Sequence, residues 1–218
     1  MTQMDLKGKA VSILGLGSSG WAAAALSVSK GGRTYVSDLR ADTSTRARAA
    51  DLGKLGVDVE LGGHDIERMG ASDVVVVSPG ISPDVPALSA LRERGVGWLS
   101  EPEFAFHFLS APVVAITGTN GKTTTAALTA HLLEAAGLTT GLGGNIGAEF
   151  GPAASLLALQ DPVPDWFVLE MSSFQLADIE SFKPAIGVVT NLAPDHLDRY
   201  ESVDAYYGDK SRLFKNSD

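Results

Sequence analysis

The sequence has no cysteine, no long apolar run and no excess of basic residues. Because none of its 218 residues is Cys, disulfides and cysteine-based zinc sites are excluded. No apolar stretch reaches the roughly 18 residues of a membrane-spanning helix, and the polar N-terminus lacks a signal-peptide core. The net charge of −9 argues against a protein that binds nucleic acid through a basic face. We therefore expect a cytoplasmic protein without membrane or nucleic-acid partners.

The composition and the order of its segments predict an α/β fold. Hydrophobic residues make up 44% of the chain, enough to build a packed core. Short β-rich runs alternate with helical stretches, which predicts parallel sheets with crossover helices. We expect a Rossmann-like domain at residues 1–110 and a second α/β domain at residues 111–218. Only about four strands are predicted in the second domain, with a glycine-rich turn at 141–147, so we expect an incomplete domain of a larger protein.

A phosphate-binding loop is predicted at the start of the second domain. The run Ile116-Thr117-Gly118-Thr119-Asn120-Gly121-Lys122-Thr123-Thr124-Thr125 lies between an apolar strand and a helical stretch. N–H groups at a helix start favour an anion, Lys122 can reach β/γ-phosphates, and the Thr123 hydroxyl can hold Mg²⁺. Ile116 replaces the first glycine of the generic pattern, so an ordinary glycine-rich turn is the alternative interpretation.

A second glycine-rich loop lies near the N-terminus. Gly15-Leu16-Gly17-Ser18-Ser19-Gly20 follows a predicted strand, and Asp38 ends the next strand. This spacing predicts a nucleotide diphosphate at the start of a helix, with the identity of the nucleotide left open. A tight turn without a ligand is the alternative. Two phosphate loops suggest two phosphorylated ligands, which disfavours a simple dehydrogenase.

Polar residues follow two further apolar strands of the second domain. Glu170 ends one strand, where a carboxylate could bind Mg²⁺ or simply be solvated. The run Thr190–Arg199 contains two Asp, a His and an Arg within five residues, which is typical of a site or of a polar loop that caps a helix. The other histidines (His64, His107 and His131) are interpreted as structural or surface residues. Lys210, taken alone, is interpreted as a solvated side chain.

Three strings of the sequence together resemble motifs of the Mur ligase family. ITGTNGKTTT, EMSSFQL and NLAPDHLDRY occur in the family's order and in suitable α/β positions. Members are ATP-dependent amide ligases of peptidoglycan precursor synthesis. The resemblance implies a UDP-substrate-binding first domain, followed by the N-terminal part of a P-loop ATPase-type central domain, with the family's C-terminal domain absent. GLGSSG, Gly144–Gly147 and Ser172–Leu176 are most similar to the branch that adds D-glutamate to UDP-N-acetylmuramoyl-L-alanine.

The resemblance also implies roles for individual residues. The catalytic set is Lys122, Glu170, His196 and Lys210. The ATP-binding set is Gly118, Thr119, Asn120, Gly121, Lys122, Thr123 and Thr124. The UDP-substrate-binding set is Gly17, Ser18, Ser19, Asp38, Arg40, Gly80, Asn145 and His196. The metal-binding set is Thr123, Glu170, His196 and Lys210, for two Mg²⁺ ions, with Lys210 as a carbamate beside the second.

The implied reaction is that of an ATP-dependent acid–D-amino-acid ligase. ATP would phosphorylate the alanyl carboxylate, and the amine of D-glutamate would then attack the acyl phosphate. We expect a monomer, and we expect the fragment alone to be inactive. Three alternatives stay open: another amino-acid specificity within the family, a nicotinamide-dinucleotide-binding protein, and a non-catalytic fragment. The dinucleotide alternative accounts for GLGSSG and Asp38 but not for the second loop.

Overall fold

The structure is a computed structural model that describes residues 4–217. The chain divides into two compact units, Met1–Phe108 and Leu109–Asp218. Each unit contains one parallel β-sheet with helices between consecutive strands, which confirms the predicted α/β fold class. The functional division into a UDP-substrate-binding domain and a partial ATP-binding domain stays a prediction.

The first unit contains a five-stranded sheet with the strand order β3-β2-β1-β4-β5. Its elements are β1 (Ala10–Leu14), α1 (Ser18–Ser29), β2 (Arg33–Asp38), α2 (Thr43–Lys54), β3 (Asp58–Leu61), α3 (Ile66–Gly70), β4 (Val74–Val77), α4 (Pro86–Glu93), β5 (Leu99–Ser100) and α5 (Glu101–Phe106). β1 and β4 are almost continuous apolar runs, as expected for parallel strands that are covered by helices on both faces. One core cluster lies on the face covered by α3 and α4; it includes Leu14, Tyr35, Met69, Val75 and Leu91.

The second unit contains a four-stranded sheet with the strand order β7-β8-β6-β9. Its elements are β6 (Val113–Thr117), α6 (Lys122–Ala135), β7 (Thr140–Gly144), α7 (Ala154–Leu157), β8 (Trp166–Glu170), α8 (Ser173–Ala177), β9 (Ile186–Val189), α9 (Val203–Ser211) and a 3₁₀ helix (Arg212–Phe214). β6 lies at an interior position, and its register places Ile116 beside Glu170 of β8 and Thr117 beside Val189 of β9. The segments that follow β6, β8 and β9 therefore leave the sheet at the same edge, where ligands bind in open parallel sheets.

The predicted turn over Gly141–Gly144 was wrong, because these residues form most of β7. A Cβ at Gly141 would lie 2.7 Å from the Phe167 ring, and one at Gly143 would lie 2.3 Å from the Pro152 carbonyl oxygen. Glycine in a strand often marks such a close approach of neighbouring groups. The glycines here allow close packing within the strand and do not terminate it.

Within residues 4–217, none of the helices has both the length and the apolar character needed to cross a membrane.

Candidate nucleotide and metal sites

The phosphate loop of the second unit connects the buried strand β6 to α6, which begins at Lys122. Gly118 and Gly121 have φ angles of 142° and 78°, in the region that favours glycine. A Cβ at Gly118 would also lie 2.0 Å from the Thr190 hydroxyl oxygen. The Lys122 ammonium group donates to the Thr119 carbonyl at 2.9 Å. A phosphate could replace this carbonyl as the partner of Lys122.

Thr123 and Glu170 form an oxygen pair beside this loop. The Thr123 hydroxyl donates to Glu170 Oε2 at 2.7 Å, and Glu170 is buried at the end of β8. A hydroxyl and a carboxylate are ligands that suit Mg²⁺, which usually completes its coordination with water and substrate phosphate. Within the described part of the chain, no group of three or more His, Asp and Glu side chains forms a ready-made metal site. The pair therefore fits a magnesium ion that is shared with a phosphorylated ligand.

Lys210 is buried on α9, so its interpretation as a solvated side chain was wrong. Its ammonium group donates to the Gly118 carbonyl at 2.9 Å, on the phosphate loop. Burial and, to a smaller extent, the charge of Lys122 lower the pKa of Lys210 to about 8, against the opposing effect of Asp195 and Glu170. A lysine with this pKa is neutral in about a tenth of molecules at pH 7, far more than an ordinary lysine, and the neutral amine is the form that can react with CO₂.

His196 lies on the loop that follows β9, with its side chain half exposed. It has a φ of 53°, uncommon for a residue other than glycine. Its ring centroid is 5.2 Å from that of Phe174 and 6.1 Å from that of Tyr206. Its Nε2 lies 3.6 Å from Asp195 Oδ2. The aromatic neighbours hold the imidazole beside α8 and α9 and leave part of it accessible to a ligand.

This loop is hydrogen-bonded to the phosphate loop through Thr119. The Thr119 hydroxyl donates to the Ala193 carbonyl at 2.9 Å and accepts from the Ala193 N–H at 3.0 Å. The Tyr206 hydroxyl lies 3.2 Å from the same oxygen. His196 is three residues beyond Ala193, so these hydrogen bonds hold the loop that carries His196 against the phosphate loop. Asn191 contacts Asn120, the next residue of the phosphate loop. Neither Tyr206 nor Asn191 was among the predicted site residues.

Asn145 follows β7 and is held beside Glu170 through the backbone. Its N–H donates to the Glu170 carbonyl at 2.8 Å. The preceding Gly144 has a φ of 93°, and a Cβ there would lie 2.3 Å from that carbonyl oxygen. The glycine therefore permits the approach that places Asn145 at the carboxyl end of β8. In the second unit the structure thus brings together the phosphate loop, Thr123, Glu170, Lys210 and Asn145 at the edge of the sheet where the His196 loop begins.

The first unit has its own glycine loop between β1 and α1. Gly15 has a φ of 95°, and a Cβ at Gly20 would lie 1.9 Å from the Gly15 carbonyl oxygen. These two glycines are required by the turn and by close packing of α1 on it. A Cβ at Gly17 would contact nothing within 4 Å, so the backbone there is open to a ligand. Gly17 is the N-cap of α1, and Ser18 and Ser19 lie in its first turn, where N–H groups can bind an anion.

Asp38 joins this loop to the end of β2. Its Oδ2 accepts from the Leu16 N–H at 2.7 Å, and its carboxylate also accepts from the backbone and guanidinium of Arg40. Burial by itself would raise the pKa of Asp38, but the hydrogen bonds from Arg40 and Leu16 together outweigh it and hold the pKa below its usual value. The carboxylate therefore stays charged at neutral pH, beside the open backbone at Gly17.

Two further residues lie at the same edge of the first sheet. Gly80 is exposed in the turn after β4, near Ser78, whose hydroxyl donates to the Gly15 carbonyl at 3.2 Å. His64 follows β3, and its Nδ1 lies 2.8 Å from the Ser37 hydroxyl oxygen. Burial lowers the pKa of His64, although Asp38 and Glu60 act in the opposite direction. Its place at this edge could not be predicted from the sequence, because Ser37 is 27 residues away and only the sheet brings the two together.

Both halves of the chain match family models of Mur ligases. Residues 9–100 match the model described as Mur ligase MurD-like, N-terminal domain, and residues 116–218 match the model described as Mur ligase middle domain. Together these models cover most of the chain and both of the glycine-rich loops.

Curated relatives and a solved structure are similar over nearly the whole chain. The UDP-N-acetylmuramoylalanine--D-glutamate ligase of Desulfatibacillum aliphaticivorans is 42% identical over 98% of this chain and 46% of its own length. The corresponding ligase of Trichlorobacter lovleyi is 43% identical over 98% of this chain and 47% of its own. The chain thus spans about half the length of the curated relatives it matches. Among solved structures, the UDP-N-acetylmuramate:L-alanyl-gamma-D-glutamyl-meso-diaminopimelate ligase of Neisseria meningitides is similar, with a TM-score of 0.63, 25% identity and coverage of 96% of this chain and 68% of that one.

Proposed function

The chain belongs to the Mur ligase family, and from this premise we propose that it forms the UDP-substrate-binding and ATP-binding parts of a ligase. The proposed reaction adds D-glutamate to UDP-N-acetylmuramoyl-L-alanine in peptidoglycan precursor synthesis. The names of the relatives and the match to a MurD-like N-terminal domain support this specificity. The observation that carries the proposal is the Thr123–Glu170 oxygen pair, which lies beside a phosphate loop at the edge of a parallel sheet.

The chemistry begins with activation of a carboxylate, because a carboxylate is a poor electrophile. An oxygen of the alanyl carboxylate attacks the γ-phosphorus of ATP, and ADP leaves, which gives an acyl phosphate. The amine of D-glutamate then attacks the acyl carbon, and inorganic phosphate leaves as the amide forms. The amine loses a proton in this second step. Phosphoryl transfer of this kind depends mainly on positioning and on charge neutralisation.

The phosphate loop supplies both of these requirements in the second unit. The N–H groups in the first turn of α6 and the Lys122 ammonium would hold the ATP phosphates, with Gly118 to Thr124 as the binding segment. Thr123 and Glu170 would hold Mg²⁺, which neutralises negative charge on the phosphates when bound. Asn145 and His196 would contact the substrate near the reacting carboxylate. The positions of these residues at one sheet edge support these roles.

A second magnesium ion would be held by His196 and by Lys210 in its carbamate form. The burial of Lys210 and its pKa of about 8 support this part of the proposal. Carbamate formation joins the neutral amine to CO₂ with loss of one proton, and it replaces a cation with an anionic oxygen ligand. This change also removes the repulsion between Lys210 and Lys122, which contributes to the low pKa.

The first unit would bind the UDP part of the substrate. The diphosphate would lie at the N-terminus of α1, over Gly17, Ser18 and Ser19, where the backbone is open. Asp38 and Arg40 would contact the nucleoside, and Gly80 lies in the turn after β4 at the same edge. A monomeric state and a cytoplasmic location stay predictions.

Two substitutions test the ATP site in a ligase that contains this chain together with the remaining length found in its relatives. We expect Lys122→Ala and Glu170→Ala each to reduce ligation at least 100-fold, because each removes charge stabilisation of phosphoryl transfer. Binding of UDP-N-acetylmuramoyl-L-alanine should stay within about twofold, since the UDP part of that ligand is assigned to the first unit and neither substituted residue is assigned to the ligand. Substrate-dependent ADP release and isothermal titration measure the two quantities. Lys215→Ala, which removes an exposed lysine of the same unit, is the matched control. Full turnover in either of the first two variants would contradict the assignment.

The substrate assignment has its own test. The full-length ligase should use D-glutamate in preference to L-lysine and meso-diaminopimelate, and the chain should bind UDP but not NADH. NADH binding that UDP does not displace would favour the dinucleotide-binding alternative. A preference for another amino acid would preserve the family and change the specificity.

A further inference from the structure

The side chain of Asn191 pairs with the backbone of Asn120 as a neighbouring strand would. The Asn120 N–H donates to Asn191 Oδ1 at 3.1 Å, and Asn191 Nδ2 donates to the Asn120 carbonyl at 2.8 Å. An amide side chain carries a donor and an acceptor in one plane, so it can satisfy both backbone groups of a single residue. Asn120 is exposed on the phosphate loop, and Asn191 is exposed on the loop after β9.

Two further hydrogen bonds connect the same segments. The Thr119 N–H donates to the Asn191 carbonyl at 2.9 Å, and the Thr190 hydroxyl donates to the Asn120 carbonyl at 2.7 Å. Gly118 permits this approach, because a Cβ there would lie 2.0 Å from the Thr190 hydroxyl oxygen. Two successive residues of the phosphate loop, Thr119 and Asn120, are therefore held by residues 190 and 191 through the backbone.

These contacts direct the N–H groups of the phosphate loop to different partners. Those of Thr119 and Asn120 are used within the protein, whereas those in the first turn of α6 have no intrahelical acceptor and are free to bind an anion. A loop that is ordered before its ligand arrives loses less conformational entropy on binding. We propose that Asn191 is a positioning residue that fixes the phosphate loop in its nucleotide-binding conformation before ATP binds. This inference rests on the proposed function, because it takes ATP as the ligand of the loop.

Amide exchange in the unliganded chain tests the structural part of the proposal. The Asn120 N–H should exchange slowly in the unmodified protein and at least tenfold faster in Asn191→Ala, which removes its acceptor. Asn191→Asp retains an acceptor oxygen but sets its other carboxylate oxygen against the Asn120 carbonyl, so it should restore slow exchange at this position only in part. The measurement is residue-resolved hydrogen exchange by NMR, and it requires no nucleotide. An unchanged Asn120 exchange rate in Asn191→Ala would overturn the assignment.

Titration of the same chain with Mg-ATP tests the functional part. We expect Asn191→Ala to weaken Mg-ATP binding roughly tenfold. A change of this size corresponds to the net free energy of about one hydrogen bond, which would no longer order the loop before binding. In the full-length ligase the KM for ATP should rise by a similar factor, while the KM for the UDP substrate is unchanged. Equal Mg-ATP affinity in a variant whose Asn120 amide has lost protection would overturn the positioning role.

Asn216→Ala is the matched control for a general loss of stability. The Asn216 side chain also donates to backbone carbonyls of the second unit, those of Glu180 and Phe182, away from the phosphate loop. This variant should leave both Asn120 exchange and Mg-ATP affinity unchanged, and a comparable loss of affinity in it would overturn the assignment. If the unmodified chain shows slow Asn120 exchange but binds no Mg-ATP, the failure lies in the proposed function, and the positioning role falls with it.

Discussion

At the residue scale, Lys210 shows how a side chain acquires its chemistry from its surroundings. Its ammonium group is removed from water by α9 and the phosphate loop, and its carbonyl partner on Gly118 supplies only one hydrogen bond. Burying an ammonium group disfavours its charged form, and the nearby Lys122 acts in the same direction. The pKa of about 8 therefore reflects an unfavourable burial of charge at neutral pH.

This burial predicts how stability depends on pH. The pKa of Lys210 is lower in the folded chain than the 10.5 of an ordinary lysine, so between about pH 8 and 10.5 the unfolded chain binds more protons and stability rises with pH. The destabilising effect is complete below pH 8 and is lost as the pH rises toward 10.5. Lys210→Met removes this effect. The unfolding free energy of the unmodified chain, relative to Lys210→Met, should therefore increase by about 2 kcal/mol from pH 7 to pH 10.

Urea unfolding at several pH values in bicarbonate-free buffer measures this difference. The comparison with Lys210→Met cancels the contributions of the tyrosines, which also titrate at high pH. The pKa of Tyr35, for example, is raised by burial to about 12, which acts in the opposite direction on stability. A difference between the two proteins that does not change with pH would contradict the low pKa of Lys210.

The sequence identifies residues that lie within a continuous motif better than residues that contact a motif from elsewhere. Lys122 and Thr123 are recognisable because the strand, turn and helix that position them are adjacent in the chain. Asn191 and Tyr206 lie 71 and 87 residues from their partners on the phosphate loop. Their role depends on which strands are neighbours in the sheet, and one sequence without its fold does not contain that information.

At the scale of elements, β7 shows that a run of glycines can lie within a strand as well as in a turn. Glycines 141 to 144 were predicted as a turn, but in the sheet they allow side chains and backbone of neighbouring segments to approach β7 closely. The strands β1, β4, β6 and β8 coincide with distinct apolar runs, so the alternation of strands and helices could be predicted from the sequence. The short helices α3 and α8 were not predicted, since five residues are too few to establish a helical period.

Gly144→Ala tests the structural importance of the close approach at the end of β7. Gly144 and Gly137 have φ angles of 93° and 87°, so alanine is strained at both positions. Only at Gly144 would the new Cβ also meet the Glu170 carbonyl oxygen, at 2.3 Å. We expect Gly137→Ala to cost about 1 kcal/mol of unfolding free energy, and Gly144→Ala at least about 2 kcal/mol more, since the Cβ contact forces the backbone apart.

Denaturant unfolding of the two variants gives this difference, and NMR chemical shifts of Asn145 and Glu170 localise it. Because Gly137 follows α6 in open space, its substitution reports the cost of the backbone conformation alone. Equal costs for the two substitutions would show that the approach of Gly144 to Glu170 relaxes easily. The placement of Asn145 beside β8 would then not depend on this glycine.

At the scale of the whole molecule, the two units share the same arrangement of sheet, glycine loop and helix. Each unit has a parallel sheet, a glycine loop after an interior strand and a helix that begins at that loop. The partner residues differ in kind. The loop of the first unit is accompanied by the Asp38–Arg40 ion pair, and the loop of the second by the Thr123–Glu170 pair and two lysines. The first arrangement suits a nucleoside diphosphate, and the second suits a triphosphate with magnesium.

This repetition predicts that the phosphates of the two ligands bind to separate parts of the chain. A ligand present at 100 times its Kd stabilises the unit that binds it by about 2.7 kcal/mol. In thermal unfolding of this chain, Mg-ATP and UDP-N-acetylmuramoyl-L-alanine should each raise the melting temperature. Lys122→Ala should abolish the shift caused by Mg-ATP and retain the shift caused by the UDP ligand, and Asp38→Asn should do the reverse. Each variant serves as the folding control for the other, because each must still respond to one ligand. If either substitution abolished both shifts in a protein that remains folded, the assignment of one ligand to each glycine loop would be wrong.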